Sequence, residues 1–236
     1  MSRERIIASL RTSLASNRQW LAGEAAQASH TPPTHVLPQA ANLAVQFAEE
    51  LTKLEGKAYL VSDAEEALET LGRLLEERGA QQLLAWDLDQ IGLPGLDALL
   101  AERGASLLNP SVRGATRKAQ LQALEPAPVC LSGVAYAIAE SGTLVLRHGP
   151  GRPRLASLLA PAHVAVVRAD QLVRGLGDAL TRLQTEHGAK LFTDTSNLTF
   201  ITGPSRTADI EMTLSLGIHG PPELHVIILD HVEAIL

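Results

Sequence analysis

Three stretches in the second half of the sequence set polar and charged residues among glycines, where chemistry rather than packing would explain them. Residues 135–143 read AYAIAESGT, so Glu140 stands between an apolar run and the Gly142 turn that leads into Thr143. A carboxylate at such a junction is half-shielded from water, which raises its pKa and suits a general base, a nucleophile or a ligand contact. The other reading is that it accepts backbone N–H bonds from the turn at Ser141 to Thr143. Residues 147–154, RHGPGRPR, combine glycines that let the backbone approach an anion with the forked donors of Arg147, Arg152 and Arg154. The run matches neither the phosphate-loop pattern nor the dinucleotide-binding glycine fingerprint. It reads as an anion site, as a lid, or as a solvated loop.

The third stretch, TGPSRTADIE at 202–211, follows a strand ending at Ile201. Gly203 and Pro204 make a tight exit, and Ser205 or Thr207 is expected to cap a helix beginning there. The free N–H groups of its first turn, with Arg206 beside them, form a site for a small anion. Asp209 and Glu211 fall in that turn, Asp209 as a ligand contact and Glu211 as a cap. Just beyond, His219 stands between glycines before the last strand, as an acid–base group, a ligand contact or a turn stabiliser. His225, within that strand, reads as structural. The candidate catalytic residues are thus Glu140 and His219, and the candidate ligand-binding residues are Gly142, Thr143, Arg152, Gly203, Ser205, Arg206, Thr207 and Asp209. The eight histidines show no metal-ligand spacing, and there is no nucleophile elbow.

The elements that must position these residues follow from periodicity. Ile6, Ile7, Leu10, Leu14 and Leu21 mark an amphipathic N-terminal helix, residues 27–38 an irregular connector with three prolines, and residues 39–54 a second helix. Strands are expected at 57–61, 82–86 and 105–108, alternating with helices at 62–78 (Ser62 as N-cap with Glu65 completing a capping box), 94–103 and 113–124. Further strands fall at 129–131, 143–146, 163–167, 198–201 and 224–229, with a helix from Asp170 to His187. Short, wholly apolar strands alternating with amphipathic helices imply an α/β fold, an open and mostly parallel sheet covered on both faces. The expected division is a helical extension and connector over 1–56 and the α/β domain over 57–236. In such sheets ligands bind beyond the carboxyl ends of the strands.

Composition narrows the function. With 236 residues, 45% hydrophobic and 19% charged, the chain is no disordered polymer. A net charge of −6 supplies no basic field to draw in nucleic acid. Cys130 is the only cysteine, so this chain alone builds no disulfide, thiolate zinc site or iron–sulfur cluster. Between Val129 and Leu131 it reads as a small apolar side chain in a buried strand. No apolar run reaches the ~18 residues of a membrane span, and the N-terminus has no secretory pattern, so a cytoplasmic protein is expected.

Taken together, residues 137–143 (AIAESGT), residues 152–161 with Ser157-Leu158-Leu159 inside them, residues 203–211 (GPSRTADIE) and residues 217–221 (GIHGP) occur in the order found in LUD-domain proteins. The chain resembles the lactate-utilisation C members of that family over nearly its whole length, N-terminal helices included. Ser141 departs from the threonine usual in the family's Glu-Thr-Gly-Thr run and keeps the hydroxyl. The resemblance implies a fold similar to the NagB/RpiA/CoA-transferase group. It also implies a bacterial system oxidising L-lactate to pyruvate with a cysteine-rich and an iron–sulfur partner. Iron–sulfur clusters would sit in those partners and no cofactor in this chain, whose part is to bind a small anionic ligand. Related CoA transferases use a Glu near a Gly turn as nucleophile, and by analogy Glu140 would take that place in a stand-alone CoA-transferase-like or sugar-phosphate-isomerase-like enzyme. A ligand-sensing module without chemistry is the third possibility.

Overall fold

The computed structural model describes residues 3–27, 35–38, 40–108, 110, 112, 114–208 and 214–230. In chain order the elements are α1 (Arg3–Gln27), α2 (Leu43–Lys53), β1 (Lys57–Val61), α3 (Ala64–Glu77), β2 (Gln82–Ala85), α4 (Leu88–Ile91), α5 (Leu96–Glu102), β3 (Ser106–Leu108), α6 (Arg117–Leu124), β4 (Val129–Ser132), β5 (Tyr136–Ile138), β6 (Thr143–His148), β7 (Ala162–Arg168), β8 (Leu172–Val173), α7 (Leu176–His187), β9 (Asn197–Ile201), β10 (Arg206–Ala208), β11 (Leu214–Leu216) and β12 (Glu223–Leu229). The chain divides into two units, Met1–Pro32 and Pro33–Leu236. In the first, α1 leaves Ile6, Leu10, Leu14 and Trp20 exposed. No helix among the described residues is long and apolar enough to cross a membrane.

The second unit is built on a six-stranded, wholly parallel sheet of order β1-β12-β7-β4-β2-β3. Its central strands carry apolar residues on both faces: Val164 to Val167 of β7 and Val226 to Ile228 of β12 are fully buried. Layers must therefore cover both sides. Helix α3 turns Ala67, Leu71, Leu74 and Leu75 inward. Its N-cap is Asp63, whose carboxylate accepts the Glu66 N–H at 2.9 Å, rather than Ser62. Ser62 instead donates through N–H and Oγ to the Glu66 carboxylate, at 2.8 and 2.9 Å. Asn42 caps α2 through bonds from the N–H groups of Ala44 and Val45. Helix α2 packs on β1 and on the 3₁₀ turn at Ala139–Ser141, so residues 43–53 belong with the sheet rather than with an extension.

Two expected strands, at 143–146 and 198–201, do form but not in the parallel sheet. They lie in a second, four-stranded sheet of order β8-β5-β6-β9, in which β6 runs antiparallel to both β5 and β9. Its side chains alternate with period two. Ala137, Leu144 and Leu146 join the main core, while Tyr136, Ile138 and Val145 meet Ala179 and Leu183 of α7. This sheet is therefore a middle layer between the parallel sheet and α7. The helix expected from Asp170 starts only at Leu176, because Leu172 and Val173 pair with Ala137 and Ile138 as β8. The helix expected after Gly203 is likewise replaced at Arg206–Ala208 by β10, antiparallel to β11.

Gly142 shows how tightly the layers meet. Its φ is +56°, and a Cβ there would stand 2.5 Å from the backbone N of Leu51 in α2. Gly79, which ends α3, has the same φ of +56° with nothing within 4 Å of its Cβ position. Gly79→Ala should thus cost only the left-handed backbone penalty, about 1–2 kcal/mol, whereas Gly142→Ala adds overpacking and should cost about 2–5 kcal/mol. Urea unfolding of the two variants checks this; equal losses would contradict the close approach.

Candidate functional site

Of the cavities lined by polar residues of this unit, two lie at opposite ends of the parallel sheet. The first forms where the Ser141–Thr143 turn meets the exit of β9. Thr143 Oγ1 lies 2.8 Å from Ser141 Oγ and 2.8 Å from Thr202 Oγ1. Thr202 borders a cleft of about 210 Å³ whose wall includes Ser157, His163, Gly203, Ser205 and His219. The Ser205 N–H donates to Pro221 O at 2.9 Å and the Gly217 N–H to Ser205 O at 3.0 Å, which ties the two loops together. His163 and Leu224 sit at the start of β7 and β12, so this cleft opens at the amino edge of the sheet, opposite the edge expected from the fold class.

The structure thus brings Thr143, Gly203, Ser205 and His219 together, and it adds Thr202 and His163. His163 is buried, with Nε2 at 2.8 Å from Ser132 Oγ, and its Nδ1 has no partner among the described residues. Burial, together with nearby His148 and His225, lowers its pKa to about 3, so the ring is neutral. Sequence reasoning passed over it; an imidazole inside the otherwise apolar run 162–167 was the available signal.

Other candidates lie elsewhere. Arg206 is held by the end of α2: its Nη2 meets the Glu55 carboxylate at 2.9 Å and donates to Leu54 O. With β10 in place of a helix, the expected anion site of exposed helix N–H groups and a free guanidinium does not form at 205–207. Thr207 is the middle residue of β10, and Asp209 and Glu211 lie outside the described residues. Gly142 is used for helix packing, as described. Glu140 is half-buried, and its carboxylate accepts the Val36 N–H at 3.0 Å rather than those of its own turn. Alongside, His35 Nε2 bonds Asp178 Oδ2 at 2.9 Å and Arg174 donates to Leu37 O at 2.9 Å. Glu140 is thereby part of a clasp on residues 35–37, and it does not converge with Arg206 and His219 on one ligand.

Arg152 belongs to the second cavity, about 260 Å³, at the carboxyl ends of β7, β4 and β2. The 149–152 run that carries it is neither lid nor solvated loop. Gly149 and Arg152 bridge each other, the Asp87 N–H donates to Gly151 O at 2.8 Å, and the Ser196 N–H donates to His148 O at 2.8 Å. Arg147 from β6 and Arg182 from α7 line the same cavity, with Arg168 at the end of β7. Arg168 forms a two-pronged pair with Asp170, at 3.1 and 3.2 Å. By contrast, Arg152 Nη1 donates to Gln90 Oε1 at 3.0 Å and Arg147 Nη1 to Thr195 Oγ1 at 3.2 Å; among the described residues neither has a carboxylate partner. Burial and the neighbouring Arg147 charge lower the Arg152 pKa from its ordinary value. No group of three potential metal ligands occurs among the described residues.

Residues 44–229 match the LUD domain family model. This chain belongs to the LUD-domain family. It is 32% identical over 167 residues to lactate utilization protein C of Shouchella clausii, covering 69% of each chain. It is 29% identical over 188 residues to the protein of that name from Halalkalibacterium halodurans, covering 78% of this chain and 77% of that one. A DUF162 family protein from Deinococcus radiodurans, known from its crystal structure, shares the fold, with a TM-score of 0.57, 24% identity, and coverage of 81% of this chain and 99% of that one.

Buried imidazoles give this LUD domain a defined acid response. His148, packed edge-on to Trp86 and bonded through Nε2 to Thr199 Oγ1, is lowered by burial to a pKa of about 4. Because the folded pKa values lie below the unfolded value near 6.5, the unfolded chain binds protons that the folded one refuses, and stability falls as pH drops below about 6.5. Each such group contributes a slope approaching about 1.4 kcal/mol per pH unit. His163→Gln should flatten the stability profile between pH 6 and 5 by about that amount, measured from urea midpoints; an unchanged slope would show that His163 protonates as readily folded as unfolded.

Proposed function

We propose that this chain serves L-lactate utilisation, the oxidation of lactate to pyruvate, as a non-redox subunit beside a cysteine-rich and an iron–sulfur partner. The observation that carries the reading is the similarity to proteins named lactate utilization protein C over more than two thirds of both chains. Removing two electrons and two protons from a 2-hydroxy acid needs an electron acceptor, and protein side chains other than cysteine supply none that cycles readily. Cys130 is buried, and burial raises its thiol pKa, so it stays an inert apolar filler. On this reading the electrons leave through the partners. What this chain would offer is ligand binding and proton handling: hydroxyls of Thr202 and Ser205 in one cleft, with Thr143 bonded to Thr202 behind it, exposed His219 at its wall as a proton acceptor, and guanidiniums in the cavity at the opposite edge.

The alternative of a stand-alone enzyme with Glu140 as nucleophile requires a free carboxylate, whereas Oε2 is bonded to Val36 and Oε1 stands 2.6 Å from where a Cβ on Gly175 would lie. A clean deletion of the gene should abolish growth on L-lactate as sole carbon source while leaving growth on glucose intact. The tagged protein should also copurify with the two partners. Normal growth of the deletion strain on lactate would refute the reading.

A further inference from the structure

We infer that the arginine-lined cavity at the carboxyl edge of the parallel sheet binds a small organic dianion, a phosphomonoester or a dicarboxylate, seated between Arg147 and Arg152 and hydrogen-bonded by Trp86. The inference supplies an anion site for the reading above, but it stands on its own geometry.

The charges come first. Four guanidiniums line the cavity, those of Arg147, Arg152, Arg168 and Arg182, against the two carboxylates of Asp170 and Glu186, which leaves an excess of two positive charges. The pairing is uneven. Asp170 is engaged by Arg168, and its backbone oxygen accepts from Arg182 at 3.1 Å, while Arg182 also stacks over the Tyr136 ring at 5.9 Å. Arg147, Arg152 and Arg182 are thus all bonded only to neutral partners, with Glu186 the one lining carboxylate not engaged by an arginine.

Unused donors come second, and they are independent of the charges. The Trp86 indole Nε1 is buried with no hydrogen-bond partner among the described residues, and so is Arg152 Nε. Trp86 is 2% exposed and can only donate. The Tyr136 hydroxyl, in a residue 4% exposed, has the Glu186 carboxylate beside it as an acceptor, and burial together with that carboxylate keeps the phenol protonated. A buried donor left without an acceptor is costly, because its bond to water is lost and not replaced. Two of them on the wall of one cavity call for a ligand rich in acceptors.

Position and size come third. The cavity lies beyond the carboxyl ends of three adjacent parallel strands, the usual ligand edge of open α/β sheets. Its 260 Å³ falls just under the ~300–1,000 Å³ typical of drug-sized ligand sites and suits a molecule of a few carbons.

The two tryptophans make the test direct. With Trp20 changed to Phe, Trp86 is the only indole, and its fluorescence reports the cavity. The Trp20→Phe protein would be titrated with inorganic phosphate, malonate and L-lactate, with calorimetry run in parallel in case the emission is insensitive. Saturable binding of phosphate or malonate at least tenfold tighter than lactate is expected, and the stronger of the two identifies the anionic group. Arg147→Gln and Arg152→Gln should each weaken that binding at least tenfold, Arg147→Lys less, and surface Arg73→Gln not at all, with circular dichroism confirming that each variant is folded. Absence of saturable binding to the folded parent, or equal affinity in the folded Gln variants, would overturn the proposal. Failure here with lactate growth lost on gene deletion sinks this site alone; binding with growth unimpaired sinks the lactate reading alone.

Discussion

The constraint on which this structure depends is that its central strands are buried on both faces, so any polar group placed in them must be satisfied from within. Most positions meet the constraint by having no polar side chain. The exceptions are bonded in pairs or chains. His225 of β12 takes the Arg78 guanidinium on Nε2 at 2.8 Å and meets Tyr59 Oη with Nδ1 at 3.0 Å. Nε2 also lies 3.3 Å from Glu223 Oε2, so that nitrogen sits between a guanidinium and a carboxylate. Burial lowers the pKa of the ring, and the bond to Glu223 opposes that shift. Arg78 also meets Glu223, so one guanidinium serves an imidazole and a carboxylate at the strand's mouth. These bonds account for His225 completely. Those of Trp86 Nε1 and Arg152 Nε do not close among the described residues, nor do those of His148 Nδ1 and His163 Nδ1.

The two edges of the sheet then diverge in chemistry because different layers reach them. At the amino edge, the second sheet and the 217–221 loop bring hydroxyls and imidazoles, which give a neutral, hydrogen-bonding cleft. At the carboxyl edge, β6, the 149–152 turn and α7 bring guanidiniums. The link between edges is β6, whose Thr143 end joins the hydroxyl cluster and whose Arg147 end joins the arginine cavity. A six-residue strand spans roughly 17–20 Å, so the two cavities cannot hold the same small ligand at once.

What could be read from the sequence follows from which interactions are local. The apolar strands of the parallel sheet, the cap and stop of α3 and the stop of α7 depend on neighbours within a few residues, and they were legible to within a residue or two. Strands β6 and β9 were legible as strands but not as members of a separate sheet, because a short apolar run carries no record of its partner. The 205–211 stretch carries good capping residues, yet its pairing with Leu214–Leu216 outweighed local propensity. Glu140 was legible as a special carboxylate, but its acceptor role depends on Val36, 104 residues away. The arginine cavity was half legible: Arg147 and Arg152 stand five apart in one glycine-rich run, while Trp86, Tyr136 and Arg182 come from elements whose meeting is set by the layering alone.

That layering also explains how a like-charged pair can persist. Two guanidiniums facing one cavity repel, and partial burial of Arg152 worsens the repulsion by removing solvent screening. A flexible loop would swing one of them into water. Here it cannot: Arg147 lies in β6, held on both sides by β5 and β9, and the Arg152 turn is pinned by Asp87 at one end and by the His148–Ser196 bond at the other. Gly149 and Gly151 permit this pinning, since a Cβ at either would stand 2.7 or 2.8 Å from an Asp194 or Asp87 oxygen. The glycines that read in the sequence as contacts for an anion therefore act one step removed. They let the backbone fold tightly enough to keep a repulsive pair in place, and a cation pair that the fold will not release is one that an anion can relieve.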